Sequence, residues 1–164
     1  MARSEIQPGD REAVEQFMQH HWGSNRVMSR GRCFFPHEQH GFIERMNGDI
    51  VGLLTYYIES EAMEILTLNS TLEGRGIGSS LMLSAIESAR KQKCGQVWLT
   101  TTNDNLRGIG FYQRLGFRMV EINIGAVDEA RKVKPEIPLI GHRGVPIHDE
   151  IVMELRLQPY LNPA

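Results

Sequence analysis

Cysteine is scarce in this chain, and what little there is sits in the wrong places for a staple. Cys33 and Cys94 are the only two, far apart, and they match neither a zinc spacing nor a disulfide framework. An excess of positive charge is also missing: 18 Lys and Arg face 20 Asp and Glu, for a net charge of −2. Binding to a phosphate backbone needs a clustered basic surface, so no nucleic acid is expected as a partner. No apolar run reaches the length of a membrane span, and the polar, acidic start is unlike a signal peptide. A reduced, cytoplasmic protein with no membrane partner is the expectation. There are no repeats and no low-complexity tract, and 164 residues suffice for one domain with a sizeable core, taken here as 1–164.

The common phosphate motifs are absent too. No Lys-Ser or Lys-Thr pair follows a glycine, as a Walker loop requires, and Ser79 or Leu81 stands where a dinucleotide fingerprint needs its third glycine. What is present is Glu73-Gly74-Arg75-Gly76-Ile77-Gly78-Ser79-Ser80, running straight into an amphipathic stretch. Alternating glycines clear side chains from the backbone, so successive N–H groups can converge on one anion at a helix start. Alone, such a loop is either a phosphate cradle or a bare turn. Its neighbours decide.

Hydrophobic spacing predicts a short strand at Arg3–Ile6 and a helix from Asp10, which carries Ala13, Val14, Phe17 and Met18 on one face. The stretch from His20 to Pro36 reads as a short helix and loop. Strands follow at Gly41–Met46, Ile50–Ile58 and Met63–Asn69, with Asn47-Gly48 as the hairpin signal. After the glycine loop, Ile77, Leu81, Met82, Ala85, Ile86 and Ala89 form a stripe of period near 3.6. A strand at Val97–Thr101, a helix at Leu106–Leu115 closed by Gly116, and a strand at Phe117–Ile124 come next. A helix at Val127–Val133 and a strand at His148–Leu157 complete the order. This order describes an α+β fold, a mixed but mostly antiparallel sheet with helices on both faces.

With the loop and the downstream segments Asn103-Asp104-Asn105 and Gly110-Phe111-Tyr112-Gln113-Arg114-Leu115-Gly116-Phe117 in view, the chain resembles the GNAT superfamily of acyl-CoA N-acyltransferases, in an uncharacterised bacterial branch. The family's loop is Arg/Gln-x-x-Gly-x-Gly/Ala, and Glu73 replaces its usual first residue. That substitution implies weaker or differently balanced cofactor binding, with Glu73 turned to solvent and Arg75 supplying local charge. The resemblance implies a single N-acetyltransferase domain that takes acetyl-CoA as cosubstrate, needs no metal, and acetylates a small-molecule or peptide amine. A homodimer is compatible with it. It also implies pantetheine bonded along Leu66, Thr67 and Leu68, and pyrophosphate held by Gly74, Arg75, Gly76, Ile77, Gly78 and Ser79.

Two residues are implied in the chemistry. A lysine-type amine is almost wholly protonated at neutral pH, so a base must act, and Glu64 stands where several family members carry a glutamate base. It is otherwise an edge or surface carboxylate on a half-exposed strand. Tyr112 corresponds to the family's proton donor to the leaving thiolate; as an ordinary residue it is a core aromatic beside Phe111. Asn105 either bonds the pantetheine or simply caps the helix, and Asn103 does similar loop work. His37, His40 and the His20-His21 pair lack the carboxylate or cysteine that would complete a metal site, which leaves them as surface polar residues. Trp22 and Arg30 either line an acceptor pocket or pack the first helices. Arg131, Lys132 and Lys134 read as a solvated helix face or its C-terminal charge bias, and the excursion Gly125–Gly144 as a lid over the acceptor or a dimer contact. With neither cysteine beside a base, direct attack is expected rather than a ping-pong route. The rival readings are a non-catalytic acyl-CoA sensor and a partner-binding domain in which the glycines only turn the chain.

Overall fold

The computed structural model describes residues 1–157. They fall into two compact units, residues 1–97 with Leu157, and Trp98–Arg156. The first unit holds β1 (Ala2–Glu5), α1 (Arg11–Trp22), β2 (Val27–Ser29), β3 (Arg32–Phe34), β4 (His40–Met46), β5 (Asp49–Glu59), β6 (Ala62–Ser70), α2 (Ile77–Lys91) and the start of β7 (Gln96–Thr102). The second holds the rest of β7, α3 (Leu106–Arg114), β8 (Arg118–Asn123), α4 (Ala126–Val133) and β9 (Glu150–Arg156).

In the first unit β1, β4, β5 and β6 lie side by side in that order, each pair antiparallel. Asn47 and Gly48 both take positive φ, 53° and 87°, as a turn matched to the strand twist demands. The next turn does the same with Ser60 and Glu61 at 50° and 61°, although neither residue favours that region. Successive residues of β5 face opposite sides. Leu53 packs with Val14, Phe17 and Met18 of α1, together with Val27 and Ile43. Gly52 faces α2 so closely that a Cβ there would lie 2.5 Å from Ile77 Cγ2 and 3.0 Å from Leu81 Cδ1. Helices thus cover both faces, and the whole stripe from Ile77 to Ala89 is buried as its spacing predicts. Each of its large side chains contributes about 1.5–3 kcal/mol of burial.

The stretch after His20 differs from expectation. α1 continues unbroken to Trp22 and ends at Gly23, whose φ of 66° turns the chain while its N–H bonds Gln19 O at 3.1 Å. A two-stranded hairpin then replaces the expected short helix and loop. Ser29 opposes Arg32, and the turn residues Arg30 and Gly31 take φ of 50° and 75°. Asp10 stands at the N-cap of α1 without capping it: its carboxylate accepts from the Gln7 N–H at 2.8 Å and from Arg45 at 2.8 Å.

In the second unit β9 lies between β7 and β8, and β8 pairs antiparallel with β9 across a bulge near Val120. Asn103 ties the end of β7 to the segment before β9. Its Nδ2 donates to Pro146 O at 2.9 Å, and its Oδ1 accepts from His148 and Asp149 N–H, each at 3.0 Å. Arg131 corrects another expectation. Rather than standing in solvent, its guanidinium donates to the carbonyls of Ile137, Pro138 and Ile147 at 3.1, 2.9 and 2.9 Å and pairs with Asp128 at 2.8 Å. It holds the 125–144 excursion together from inside. No helix among the described residues is long and apolar enough to cross a membrane.

Candidate functional site

β6 carries the strand part of the site. Pairing with β5 slips between Thr55↔Thr67 and Tyr56↔Ile65, which leaves Leu66 as the extra residue of a bulge. A bulge interrupts the ladder and re-aims the residue it adds. Leu66 is buried, and Leu68 is half-buried. The Thr67 side chain turns into the sheet: its Oγ1 accepts from the Thr55 N–H at 3.1 Å and lies 2.7 Å from Thr55 Oγ1. Any ligand along this segment therefore meets Thr67 through its backbone.

Glu64 lies opposite Tyr57 and is only 6 % exposed, so it is no surface carboxylate. It accepts a hydrogen bond from the hydroxyl of Ser29 on β2. Burial lifts its carboxyl above the ordinary glutamate range, against the Ser29 hydrogen bond and the charges of Arg30 and Arg32, which pull it down. A carboxyl raised in this way is a better proton acceptor near neutrality than a free one.

From β6 the chain passes to the glycine loop. Gly74 and Gly76 both take φ of 70°, and a Cβ on either would meet nothing within 4 Å. Only the backbone conformation demands glycine there, and the space beyond stays open. Gly76 is the N-cap of α2, whose first bond runs from Ser80 N–H to Gly76 O at 3.0 Å. The amides of Ile77, Gly78 and Ser79 are the donors a helix start leaves over, and no acidic residue occupies that first turn. Glu73 and Arg75 are both exposed. This arrangement suits a phosphate-bearing ligand.

In the second unit, Asn105 is the N-cap of α3 and uses both ends of its amide. Its Oδ1 accepts from Gly108 N–H at 3.2 Å, and its Nδ2 donates to Thr101 Oγ1 at 2.9 Å. A Cβ at Gly108 would lie 2.2 Å from Asn105 Nδ2, so a larger residue there would displace the capping amide. Tyr112 lies two turns on, with ring centroids 5.4 Å from Phe111 and 5.9 Å from Phe117. Burial pushes its phenol up to about 12, so it stays protonated throughout the neutral range.

The family model for the GNAT acetyltransferases matches residues 5–117. The chain belongs to the GNAT acetyltransferase family. Within the family it is 40 % identical over 150 residues to the uncharacterized protein YxbD of Bacillus subtilis (strain 168), covering 90 % of this chain and 94 % of that one. Two solved structures share the fold at lower identity. The IAA acetyltransferase from Bacillus cereus ATCC 14579 superposes with a TM-score of 0.73 at 18 % identity, over 95 % of this chain and 99 % of its own. A GNAT family acetyltransferase from Elizabethkingia anophelis, solved with acetyl-CoA bound, gives 0.64 at 21 % identity over 73 % and 76 %.

Some residues singled out in the sequence play other parts. The His20 and His21 rings meet edge to face at 4.7 Å, and His21 also packs on Phe17 at 4.4 Å. No three His, Cys, Asp or Glu side chains gather as a metal site among the described residues. Sequence reasoning missed Ser29 because it sits 35 residues from Glu64 and belongs to no motif. It also missed the exposed pair of His148 Nδ1 with Asp128, 3.0 Å apart.

Proposed function

We propose that this acetyltransferase moves an acetyl group from acetyl-CoA to a primary amine by direct attack. One observation carries the reading: Gly76, in the left-handed conformation, opens α2 with three helix-start amides and no carboxylate in its first turn. Those amides take the pyrophosphate, and the backbone of Leu66, Thr67 and Leu68 takes the pantetheine. Bulged Leu66 offers its N–H to the thioester carbonyl, the role of an oxyanion donor.

Glu64 removes one proton from the acceptor ammonium. The amine nitrogen then bonds the acetyl carbon, the carbon–sulfur bond breaks, and coenzyme A leaves as its thiolate. The new amide gives up its second proton, so the thiolate is protonated and one proton is released net. Tyr112 hydrogen-bonds the leaving sulfur. A phenol at about 12 faces a thiolate whose ordinary value is near 8.5, which disfavours full transfer by about three orders of magnitude. The hydrogen bond to developing negative charge is therefore the larger part of its contribution.

A covalent acetyl-enzyme has no suitable nucleophile in Cys94: it is buried, and burial first, then Glu61, raises its thiol above the usual range. Thiol release across a panel of alkylamines, amino acids, aminoglycosides and peptide N-termini tests the proposal. Amine-dependent release with a matching mass gain of one acetyl group on the acceptor is expected. Acetyl-CoA binding without turnover on any amine would favour a sensor instead.

A further inference from the structure

We propose that Ser29 is a positioning residue for Glu64, carried to it by the β2–β3 hairpin. The inference rests on the reading of Glu64 as the base and adds what aims it.

Among the described residues, one hydrogen bond reaches the two carboxylate oxygens of Glu64. Ser29 Oγ donates to Oε1. No described residue bonds Oε2. Glu64 as a whole is 6 % exposed. One oxygen is thus held by the Ser29 hydroxyl. A base needs that arrangement, because a freely rotating carboxylate spends much of its time misdirected.

The hairpin is fastened firmly enough to serve. Val27 is buried in the cluster with Ile43 and Leu53, and Phe34 is buried with its ring centroid 5.4 Å from that of Tyr57. Arg32 lies over both rings, 5.1 Å from Phe34 and 5.0 Å from Tyr57, and pairs with Glu59 at 2.9 Å. The hairpin is thereby tied to β5 through Arg32 and to β6 through Ser29. Ser29 is itself 4 % exposed, and a buried hydroxyl needs a partner. Glu64 is that partner.

The groups that act on Glu64 come from each neighbouring element: Ser29 on β2, Arg30 in the turn, Arg32 on β3 and Glu59 on β5, with Tyr57 opposite it in the ladder. The two arginines and the Ser29 hydroxyl favour the ionised carboxylate, and Glu59 opposes it. Losing the hydroxyl alone should therefore raise the carboxyl's pKa and free its rotation, while the loop that holds coenzyme A is untouched.

The test compares wild type, Ser29→Ala, Ser29→Cys, Glu64→Gln and Ser29→Ala/Glu64→Gln. A ¹³C-carboxyl NMR titration, with the Glu64 signal assigned by its loss in Glu64→Gln, needs no acceptor. Turnover is followed with the fastest amine of the panel, and acetyl-CoA affinity by calorimetry. The proposal expects the Glu64 titration and the acid limb of kcat to move to higher pH in Ser29→Ala. It also expects kcat to fall about 10- to 100-fold with acetyl-CoA affinity kept. Ser29→Cys, nearly isosteric and a weak donor, should lie between, and Ser29→Ala should cost nothing further once Glu64 is Gln. An unmoved titration and unchanged kcat in Ser29→Ala, with Glu64→Gln strongly impaired, would overturn the positioning role and leave the base in place. Full activity in Glu64→Gln would overturn both. An equal loss from Ser29→Ala in either background would show that Ser29 acts by another route.

Discussion

Gly52→Ala probes the packing that places the glycine loop. The added Cβ would lie 2.5 Å from Ile77 Cγ2, 3.0 Å from Leu81 Cδ1 and 3.3 Å from Glu44 Cβ. Ile77 is 3 % exposed and Leu81 fully buried, and the Ile77 methyl sits on a β-branched carbon with little freedom to move. Relief therefore has to come from the start of α2, which begins at Ile77. Overpacking of this kind costs about 1–3 kcal/mol, and the lower chain entropy of alanine returns about 0.5–1. A net loss of about 1–2 kcal/mol should lower Tm by about 2–8 °C in a chain of this size. Because the displaced turn carries the amides of Ile77, Gly78 and Ser79, acetyl-CoA affinity should fall with it, by about tenfold or more. Gly95→Ala is the control: its Cβ would meet nothing within 4 Å, and Tm and affinity should hold. Thermal unfolding and calorimetry decide. If Gly52→Ala kept both Tm and affinity at wild-type values, the contact of α2 with β5 would not be what places the loop.

Further outcomes follow from single groups. Glu64 has a folded pKa raised chiefly by burial, so its ionisation costs stability as pH rises through that value, and the cost vanishes below the unfolded value near 4.5. Glu64→Gln should then raise Tm at pH 7–8 while lowering turnover further than Ser29→Ala does, and the gain in Tm should shrink toward pH 4. A Tm gain that grows on acidification would contradict this. Tyr112→Phe should lower kcat by about 10- to 100-fold with acetyl-CoA affinity kept, and wild type should show no basic limb from this phenol below about pH 11. Asn105→Ala should cost about 1 kcal/mol through the lost α3 cap, and Asn105→Asp, which keeps the acceptor oxygen, should recover most of it. Affinity lost in both variants at unchanged stability would show that Asn105 meets the cofactor instead. Arg131→Ala should open the 125–144 excursion to limited proteolysis, since the guanidinium bonds two of its carbonyls, Ile137 and Pro138, and ties them to Ile147 beyond it.

Local chemistry made parts of this molecule readable in advance. Asn47-Gly48 names its own turn, because both residues tolerate positive φ. The α2 stripe and the glycine loop are contiguous, so one window of sequence contains the helix, its start and the backbone that turns into it. The β2–β3 hairpin had no such voice. Its strands are three residues each, its turn is Arg30-Gly31, and it is fastened by the burial of Val27 and Phe34 and by Arg32 reaching across to Phe34, Tyr57 and Glu59. The same holds for the Ser29–Glu64 bond and for Arg131, whose partners are main-chain carbonyls that leave no pattern in side-chain types. Glu64 was visible as a residue but not as a buried one: its strand was expected to be half-exposed, and the hairpin that covers it was unforeseen.

The most direct measurement is an amide ¹H–¹⁵N titration of the full chain with acetyl-CoA. The largest shifts are expected at the N–H groups of residues 74–79, followed by Leu66 on β6, with their loss in Gly76→Ala, where an L side chain is forced to φ of 70°. Saturable binding that leaves those amides unmoved, or no binding at millimolar acetyl-CoA, would contradict the placement of the cofactor at the glycine loop.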